Sequence, residues 1–386
     1  MDKVKIEQAL KALFPGCDQE PWYPLGPLRG PGTLDRLSLL NPGSIRENAL
    51  YAGLSAEEIP PLIRCGAAIL NHPYLLSIFL LAVHLLIDEP ARYDARQFKN
   101  WPDFPRETEI DTPLFYLLLA LSCVPAIREV HAGRSIPEEI TRATCSGIGS
   151  KAKDFFFYFD RQGIMKWVLY WFQHSLKGDL YRLGRLEYML KPVYHGVSVY
   201  RRRSDGTARL LMNHPETEEP VMVFPDGTFT SEIPREIPET WDLCLGTEDH
   251  ILDVHIPGGG KLSLEVIEDS FRRALVFFDD LYPEKKAAAF QCFSWIFSPD
   301  LEGAYEAGDN LLRFRDQVYR YPVKTGRVDG LTFLFGTDSS DPADWPEKTR
   351  VQRKLKAHLT AGGSFRLSGM VYLREDMEAF GDRPYR

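Results

Sequence analysis

Leu252-Asp-Val-His-Ile-Pro-Gly-Gly-Gly-Lys-Leu-Ser-Leu-Glu-Val-Ile-Glu-Asp-Ser-Phe271 is the stretch that decides the fold. Leu252, Val254 and Ile256 alternate with Asp253 and His255, the period-2 pattern of a strand. Pro257 breaks it, three glycines follow, and a helical pattern begins. Ser263 sits where an N-cap belongs, and Asp and Glu are dense in the next two turns. Val266, Ala274 and the pair Phe277-Phe278 supply an apolar face at helical spacing. A strand, a glycine turn and a helix start together present backbone N–H groups and a positive helix end to an anion. Beside the turn stands His255, the one side chain on this strand that exchanges a proton near neutral pH. The functional reading is a phosphate-bearing cofactor under the turn with proton transfer next to it. The plain alternative is a β-to-α connection whose glycines only make it tight.

Working outward, the whole chain has 386 residues, which predicts two domains or three. Apolar residues at 44% and charged residues at 26% are ordinary for a soluble globular protein. Aromatic residues are plentiful, with 23 Phe and 17 Tyr, and predict well-filled cores. The net charge of −8 disfavours a nucleic-acid partner, whose footprint is basic and clustered. Arg201-Arg202-Arg203 precedes the turn signal Ser204-Asp205-Gly206 and reads as a solvated hairpin end. Six cysteines at positions 17, 65, 123, 145, 244 and 292 have no C-x-x-C spacing. That pattern predicts reduced thiols in a cytoplasmic protein and no zinc site. The N-terminus reads as an amphipathic helix start and not as a signal peptide. The most apolar run, Leu75 to Ile87, is short of a bilayer span, contains His84, and reads as a buried helix.

Helices are expected at residues 3–14, 55–64, 62–88, 111–122 and 135–145, with a Pro- and Gly-rich arm at 18–33 and a loop around Trp101 and Pro105. No strand alternation appears before about residue 145, so the N-terminal part is read as an all-helical domain, residues 1–148, followed by a second domain, residues 149–386. Residues 161–176 read as an aromatic-rich helix. Leu180 to Leu190 reads as a strand with an irregularity at Gly184, and residues 195–254 as a β-meander punctuated by Asp205-Gly206 and Asp226-Gly227. Ala287 to Phe297 is a near-continuous apolar strand, the kind covered on both faces. A helix is expected from Ser298 to about Val318, a strand at Leu331 to Phe335, a helix from Thr349 to Leu359, and a strand from Phe365 to Leu373.

Two successive strand-turn-helix units imply a locally parallel pair fed by a meander. This order resembles the acyl-CoA-dependent N-acyltransferase (GNAT) superfamily. Tyr181-Arg-Leu-Gly-Arg-Leu-Glu187, Val254-His-Ile-Pro257 with its downstream glycines, Cys292-Phe-Ser-Trp295, and Thr349-x-x-Gln352-Arg353 through His358 to Gly362-Gly363 resemble the bacterial acyltransferase-domain proteins. These proteins join a helical N-terminal domain to a GNAT-like C-terminal domain, and the likeness runs from about residue 30 to 373. The resemblance implies an α+β fold: an all-helical domain, then a GNAT-like mixed sheet flanked by helices. In that superfamily the central strand enters a pyrophosphate-binding turn, and the next strand splays away to admit the acyl-pantetheine arm. Acetyl-CoA or another acyl-CoA is the implied co-substrate, with a small-molecule or peptide amine as acceptor. The usual turn is Arg or Gln, two residues, Gly, one residue, then Gly or Ala. Ile256-Pro-Gly-Gly-Gly-Lys261 lacks the leading Arg or Gln. Ile256, Gly258, Gly259, Gly260 and Lys261 are therefore carried over as cofactor contacts by position, with Lys261 supplying positive charge.

N-acyl transfer needs a base for the attacking amine and a proton for the leaving thiolate. His255 is assigned as base and Ser294, directly or through water, as relay; Tyr305 and Tyr319 are the weaker candidates for the acid. Asp253 shares a strand face with His255, and Cys292 shares one with Ser294. Cys292 reads as a buried thiol and Trp295 as core. Arg182 and Arg185 suit a phosphate or carboxylate, or pair with Glu187 and other local acids. Two further readings stand beside this one. The first is a non-catalytic GNAT-like binding module, which the missing Arg or Gln favours. The second is a Ser- or Cys-dependent hydrolase, which the absence of a G-x-S-x-G elbow at Ser294 disfavours.

Overall fold

The computed structural model describes residues 3–15, 36–235, 237–306, 308–326, 330–337 and 339–385. The arm read at 18–33 lies outside them. The described chain forms two compact units. One takes Arg182 and the residues before it together with Pro257–Gly259; the other takes Leu183–Ile256 and the residues from Gly260 onward.

The first unit is helical. Its helices are α1 (Lys3–Leu13), α2 (Pro42–Tyr51), α3 (Ile59–Asn71), α4 (Pro73–Val83), α5 (Thr112–Leu121), α6 (Val124–Gly133), α7 (Glu138–Phe159) and α8 (Leu169–Lys177). Ser55 and Glu58 form a reciprocal capping box just ahead of α3, which satisfies backbone N–H groups that would otherwise be orphaned. The apolar run Leu75 to Ile87 is buried, as expected. So is most of α5, where Phe115 to Leu121 pack around Phe79 and Phe98. The stretch Thr112–Gly133 is long and apolar enough to cross a membrane, but 61% of its most apolar window is buried inside the fold. α7 runs unbroken through the boundary read at residue 148, because the shift to aromatic-rich sequence falls within one 22-residue helix.

Among the described residues eleven strands form two sheets, and all but the first lie wholly in the second unit. They are β1 (Tyr181–Leu183), β2 (Leu186–Pro192), β3 (Ser198–Arg202), β4 (Ala208–Asn213), β5 (Pro220–Val223), β6 (Phe229–Thr230), β7 (Trp241–Leu245), β8 (His250–His255), β9 (Ala287–Ser294), β10 (Tyr319–Pro322) and β11 (Ser368–Leu373). A six-stranded sheet has the order β1-β2-β8-β9-β11-β10, and a five-stranded one the order β6-β5-β4-β3-β7. The meander thus forms its own sheet, and only its last strand, β8, joins the sheet that contains β9. The hairpin of β3 and β4 carries the arginine run, and its guanidinium groups are paired: Arg201 with Glu375 and Asp376, Arg202 with Asp205, Arg203 with Asp242.

Helix α9 (Leu264–Leu281) follows the glycine turn and covers one face of the six-stranded sheet. Its buried face is Leu264, Ile267, Phe271, Ala274 and Phe278. Val266, read as apolar face, is instead partly exposed, because a 100° step per residue turns it away from Ile267 and Phe271. The Phe271 and Phe290 rings stack at 3.9 Å. Ser270 binds Leu186 N at 3.1 Å and the Tyr188 hydroxyl at 2.8 Å, and donates to Leu183 O, locking α9 to the β1–β2 turn.

Several expected elements differ. Leu180 to Leu190 is a hairpin and not one strand: Gly184, with φ +70°, turns the chain between β1 and β2. The apolar run ending at Phe297 leaves β9 at Ser294 and becomes a 3₁₀ turn. Ser298 to Val318 is not one helix; it divides into a 3₁₀ segment, Pro299–Ala304, and the short α10 (Asn310–Arg315). Gly303 and Gly308 between them weaken a continuous helix. Leu331 to Phe335 is the short helix α11, held between left-handed Gly330 and Gly336. Its apolar side packs on Trp345 and Leu355, which periodicity over five residues cannot reveal. The helix expected from Thr349 to Leu359 is α12 (Arg350–Thr360), and it starts on a Thr349–Gln352 capping box.

Candidate active site

β8 and β9 are parallel, and their pairing stops short. It runs from His250 opposite Ala287 to Asp253 opposite Gln291. Beyond that point β8 stays paired with β2 as far as His255 opposite Glu187, while β9 stays paired with β11 as far as Ser294 opposite Ser368. The two central strands therefore part between Asp253 and His255. At the parting lies a cavity of about 500 Å³ walled by Lys191, Pro192, Val193, Tyr194, His195, Asp253 and Phe293.

Asp253 is the hub. It is 5% exposed and accepts three contacts: Lys191 Nζ at 2.6 Å, the Tyr194 hydroxyl at 3.0 Å and His255 Nε2 at 3.2 Å. Burial alone raises a carboxyl pKa. Here the His255 hydrogen bond and charge, with Lys191, outweigh it and bring the carboxyl to about 2. Asp253 is thus a fixed negative charge that orients His255. The Tyr194 phenol is pushed well up, first by burial and then by the Asp253 charge, so it stays a neutral donor.

A second cluster faces the same cavity. His195 Nδ1 lies 3.3 Å from the Tyr321 hydroxyl. Gln291 Nε2 donates to that hydroxyl at 2.9 Å and to Tyr194 O at 2.8 Å, while Gln291 Oε1 accepts from Tyr194 N at 3.2 Å. The His195 ring meets Tyr194, Phe293 and Tyr321 edge-on. Burial lowers the His195 pKa, against a smaller upward pull from Asp253, so the imidazole is neutral at pH 7. Its backbone φ is +62°, followed by Gly196 at +62°. Two successive left-handed residues make the tight turn that links β2 to β3 and hold His195 at the cavity.

At the glycine turn, Gly259 and Gly260 have φ of +68° and +71°, which favours glycine at both. A Cβ at Gly258 would stand 2.2 Å from Asp154 Oδ1, so only glycine fits without displacing that carboxylate. Around a Cβ at Gly259 nothing lies within 4 Å. The Arg185 side chain, from the β1–β2 turn, comes to 3.1 Å from the Cβ position of Gly260. Lys261 is exposed one residue further on, and α9 begins at Leu264 with Ser263 as its N-cap residue. A guanidinium from a turn distant in sequence thus stands beside the glycine turn.

Of the residues picked from the sequence, the structure brings Asp253 and His255 together and leaves Ser294 apart. Gln291 and Phe293 share the Asp253 face, so alternation sends Cys292 and Ser294 to the other face of β9. Ser294 Oγ instead accepts from Ile296 N and caps the 3₁₀ turn. The relay from His255 to Ser294 is corrected on this ground. Cys292 is fully buried and its pKa is pushed well up, an inert thiol as read. Tyr319 donates to Val223 O and accepts from Leu210 N, and Tyr305 packs on the cluster around Leu301, so neither reaches this cavity. Arg182 binds Ser146 and Ser150 on α7. Trp295 packs against the cluster of Leu331 and Phe335. The described cysteines Cys65, Cys123, Cys145, Cys244 and Cys292 are free thiols, and no metal-binding cluster occurs among the described residues. Lys191, Tyr194, His195, Gln291 and Tyr321 were missed. The one local signal was His195-Gly196, a left-handed pair between two strands.

Two family models match the chain: an N-acyltransferase N-terminal domain over residues 44–178 and a GNAT-like C-terminal domain over residues 180–371. The class these define is the GNAT-like acyltransferase with a helical N-terminal domain. The chain belongs to the family in which these two domains follow one another. No curated protein matches it. Solved structures share its fold. A substituted form of the orf11 acyltransferase with octanoyl-CoA has a TM-score of 0.65 at 20% identity, over 96% of this chain and 99% of that one. An acyltransferase with decanoyl-CoA and teicoplanin has a TM-score of 0.64 at 21% identity, over 97% and 99%. Another, with decanoyl-CoA, has a TM-score of 0.61 at 22% identity, over the same shares.

Proposed function

We propose that the protein is an acyl-CoA-dependent N-acyltransferase that moves an acyl group from CoA to an amine. The observation that carries this is the parting of β8 and β9 beside the Asp253–His255 pair, immediately before a glycine turn at a helix start. The parting offers an extended arm a path between strands. The turn, with Arg185 and Lys261 near it, offers phosphates backbone N–H groups and positive charge. Ile256, Gly258, Gly259, Gly260 and Lys261 are the contacts proposed for that end of the cofactor.

His255 takes the proton from the attacking amine. Its Nε2 faces the Asp253 carboxylate, so proton uptake falls to Nδ1, and the carboxylate stabilises the imidazolium that forms. The proton then passes to the leaving thiolate. Octanoyl-CoA and decanoyl-CoA, present in the similar structures, are the first acyl donors to try, beside acetyl-CoA. Because one of those structures contains teicoplanin, an amine on a glycopeptide is the first acceptor class to screen. We place the protein in the cytoplasm on the strength of its free thiols.

Calorimetric titration with these acyl-CoAs tests the reading, repeated with Gly259→Glu. A carboxylate at the turn is expected to abolish binding. If no acyl-CoA binds the wild type, the acyltransferase reading fails, and the non-catalytic module leads, as the missing Arg or Gln of the turn would suggest.

A further inference from the structure

The sequence leaves open which group deals with charge on the thioester oxygen. The Gln291 cluster answers this through hydrogen-bond direction. Tyr194 presents a backbone N–H to one end of the Gln291 amide and a backbone C=O to the other, so Oε1 and Nε2 have only one consistent assignment. Gln291 Nε2 must then donate to the Tyr321 oxygen. The phenol hydrogen is left to be given to His195 Nδ1. An imidazole that accepts at Nδ1 carries its own hydrogen at Nε2.

We propose that His195 is the oxyanion donor of the transfer: a neutral imidazole, set in its Nε2–H tautomer by the relay Tyr194–Gln291–Tyr321, that holds the thioester carbonyl oxygen. This rests on the acyltransferase reading and adds the second histidine's role to it. His195 is built into the cavity wall with Asp253, Lys191 and Tyr194. The charged and titratable groups facing it are Asp253, ion-paired with Lys191, and the phenols of Tyr194 and Tyr321. Burial keeps the ring uncharged, as suits a donor that must not be spent as an acid.

The step balances as follows. The amine nitrogen forms a bond to the carbonyl carbon, and the carbonyl π pair moves to oxygen, where His195 Nε2–H meets it. His255 accepts the amine proton. Collapse of the intermediate breaks the C–S bond, the pair goes to sulfur, and the thiolate takes the proton from His255. His195 gives up no proton.

The experiment has two arms. In the first, ¹⁵N NMR of histidine-labelled full-length protein reads the His195 tautomer at pH 7. Hydrogen on Nε2 is expected, with a shift to Nδ1–H in Tyr321→Phe. Hydrogen on Nδ1 in the wild type overturns the proposal and leaves the acyltransferase reading standing. In the second, CoA release from octanoyl-CoA is followed with hydroxylamine as the amine. His195→Asn, whose side chain tolerates the left-handed backbone, is expected to lower kcat by about 10²–10³-fold with octanoyl-CoA affinity unchanged within about threefold. His195→Gln, which restores a longer N–H donor, is expected to recover about tenfold of that. An unchanged kcat in His195→Asn overturns the proposal. Failure of the wild type to bind octanoyl-CoA, decanoyl-CoA or acetyl-CoA, and to release CoA from any of them, overturns the acyltransferase reading itself, whatever the tautomer.

Discussion

Asp253 shows how much one buried carboxylate organises. Three partners converge on it, and its pKa is held near 2 against the burial that would raise it. A carboxylate with a lower pKa in the folded state than in the unfolded chain stabilises the fold fully above its unfolded value of about 3.9. That contribution fades as pH falls through the folded value, about 2. The shift corresponds to about 2–3 kcal/mol. Urea unfolding from pH 7 down to pH 2 should therefore show a steeper acid loss in the wild type than in Asp253→Asn. Parallel acid limbs would mean that Asp253 is not held ionised by these partners. The same substitution removes the acceptor that fixes the His255 tautomer, so kcat should fall by about 10²-fold or more. The Asp253–His255 pair was legible in the sequence because the two residues share one face of a strand next to glycines. That Gln291, and not Cys292, lies beside Asp253 on the adjacent strand was not, since a one-residue change in register swaps the face.

Elements, and the turns between them, bring the remaining groups together. Gly369 on β11 pairs with Tyr321 on β10, and a Cβ there would stand 2.0 Å from the Tyr321 ring. The ring lies over the glycine because nothing projects from it. Gly369→Ala should displace Tyr321, and with it the hydroxyl that meets His195. The expected result is a loss of about 1–3 kcal/mol in denaturant unfolding together with a lowered kcat. A stable, fully active Gly369→Ala would show that Tyr321 does not position His195. At the other end of the site, Arg185 reaches Gly260 from the β1–β2 turn. Arg185→Ala should weaken octanoyl-CoA binding by about tenfold in calorimetry, the scale of one charge-assisted hydrogen bond. Unchanged affinity would leave Lys261 and the turn's backbone as the whole of the phosphate contact. Sequence reading saw that the turn lacked its Arg or Gln. It also named Arg185 as suited to a phosphate, but could not see that this side chain, some 70 residues away in the chain, stands beside Gly260.

For the whole molecule, the net charge of −8 sets a constraint on an anionic ligand. Attraction has to be local, so octanoyl-CoA affinity should fall as salt rises from low ionic strength. Ligand that binds only the folded state should also raise the unfolding midpoint. At a hundred times Kd the gain is about 2.7 kcal/mol, a shift of a few degrees. A midpoint unmoved by saturating octanoyl-CoA would contradict specific binding to the native chain.

From the sequence alone came the helical N-terminal part, the strand–glycine–helix unit, the parallel pair and the acyltransferase resemblance. The first three are carried by local periodicity and by turn residues, whose effects act within a few positions of the chain, and the resemblance by the quoted motifs. Short pieces were misread where no period can develop, as at Leu331–Phe335, and where a glycine turns the chain, as at Gly184. Only the tertiary structure decided that the meander forms a sheet of its own and that β8 and β9 part after Asp253. It also decided that His195 and Tyr321 meet beside Gln291. The reason is physical: strand order and register are settled by packing and hydrogen bonding between segments far apart in the chain. No local pattern encodes which distant side chains will share one face of a sheet.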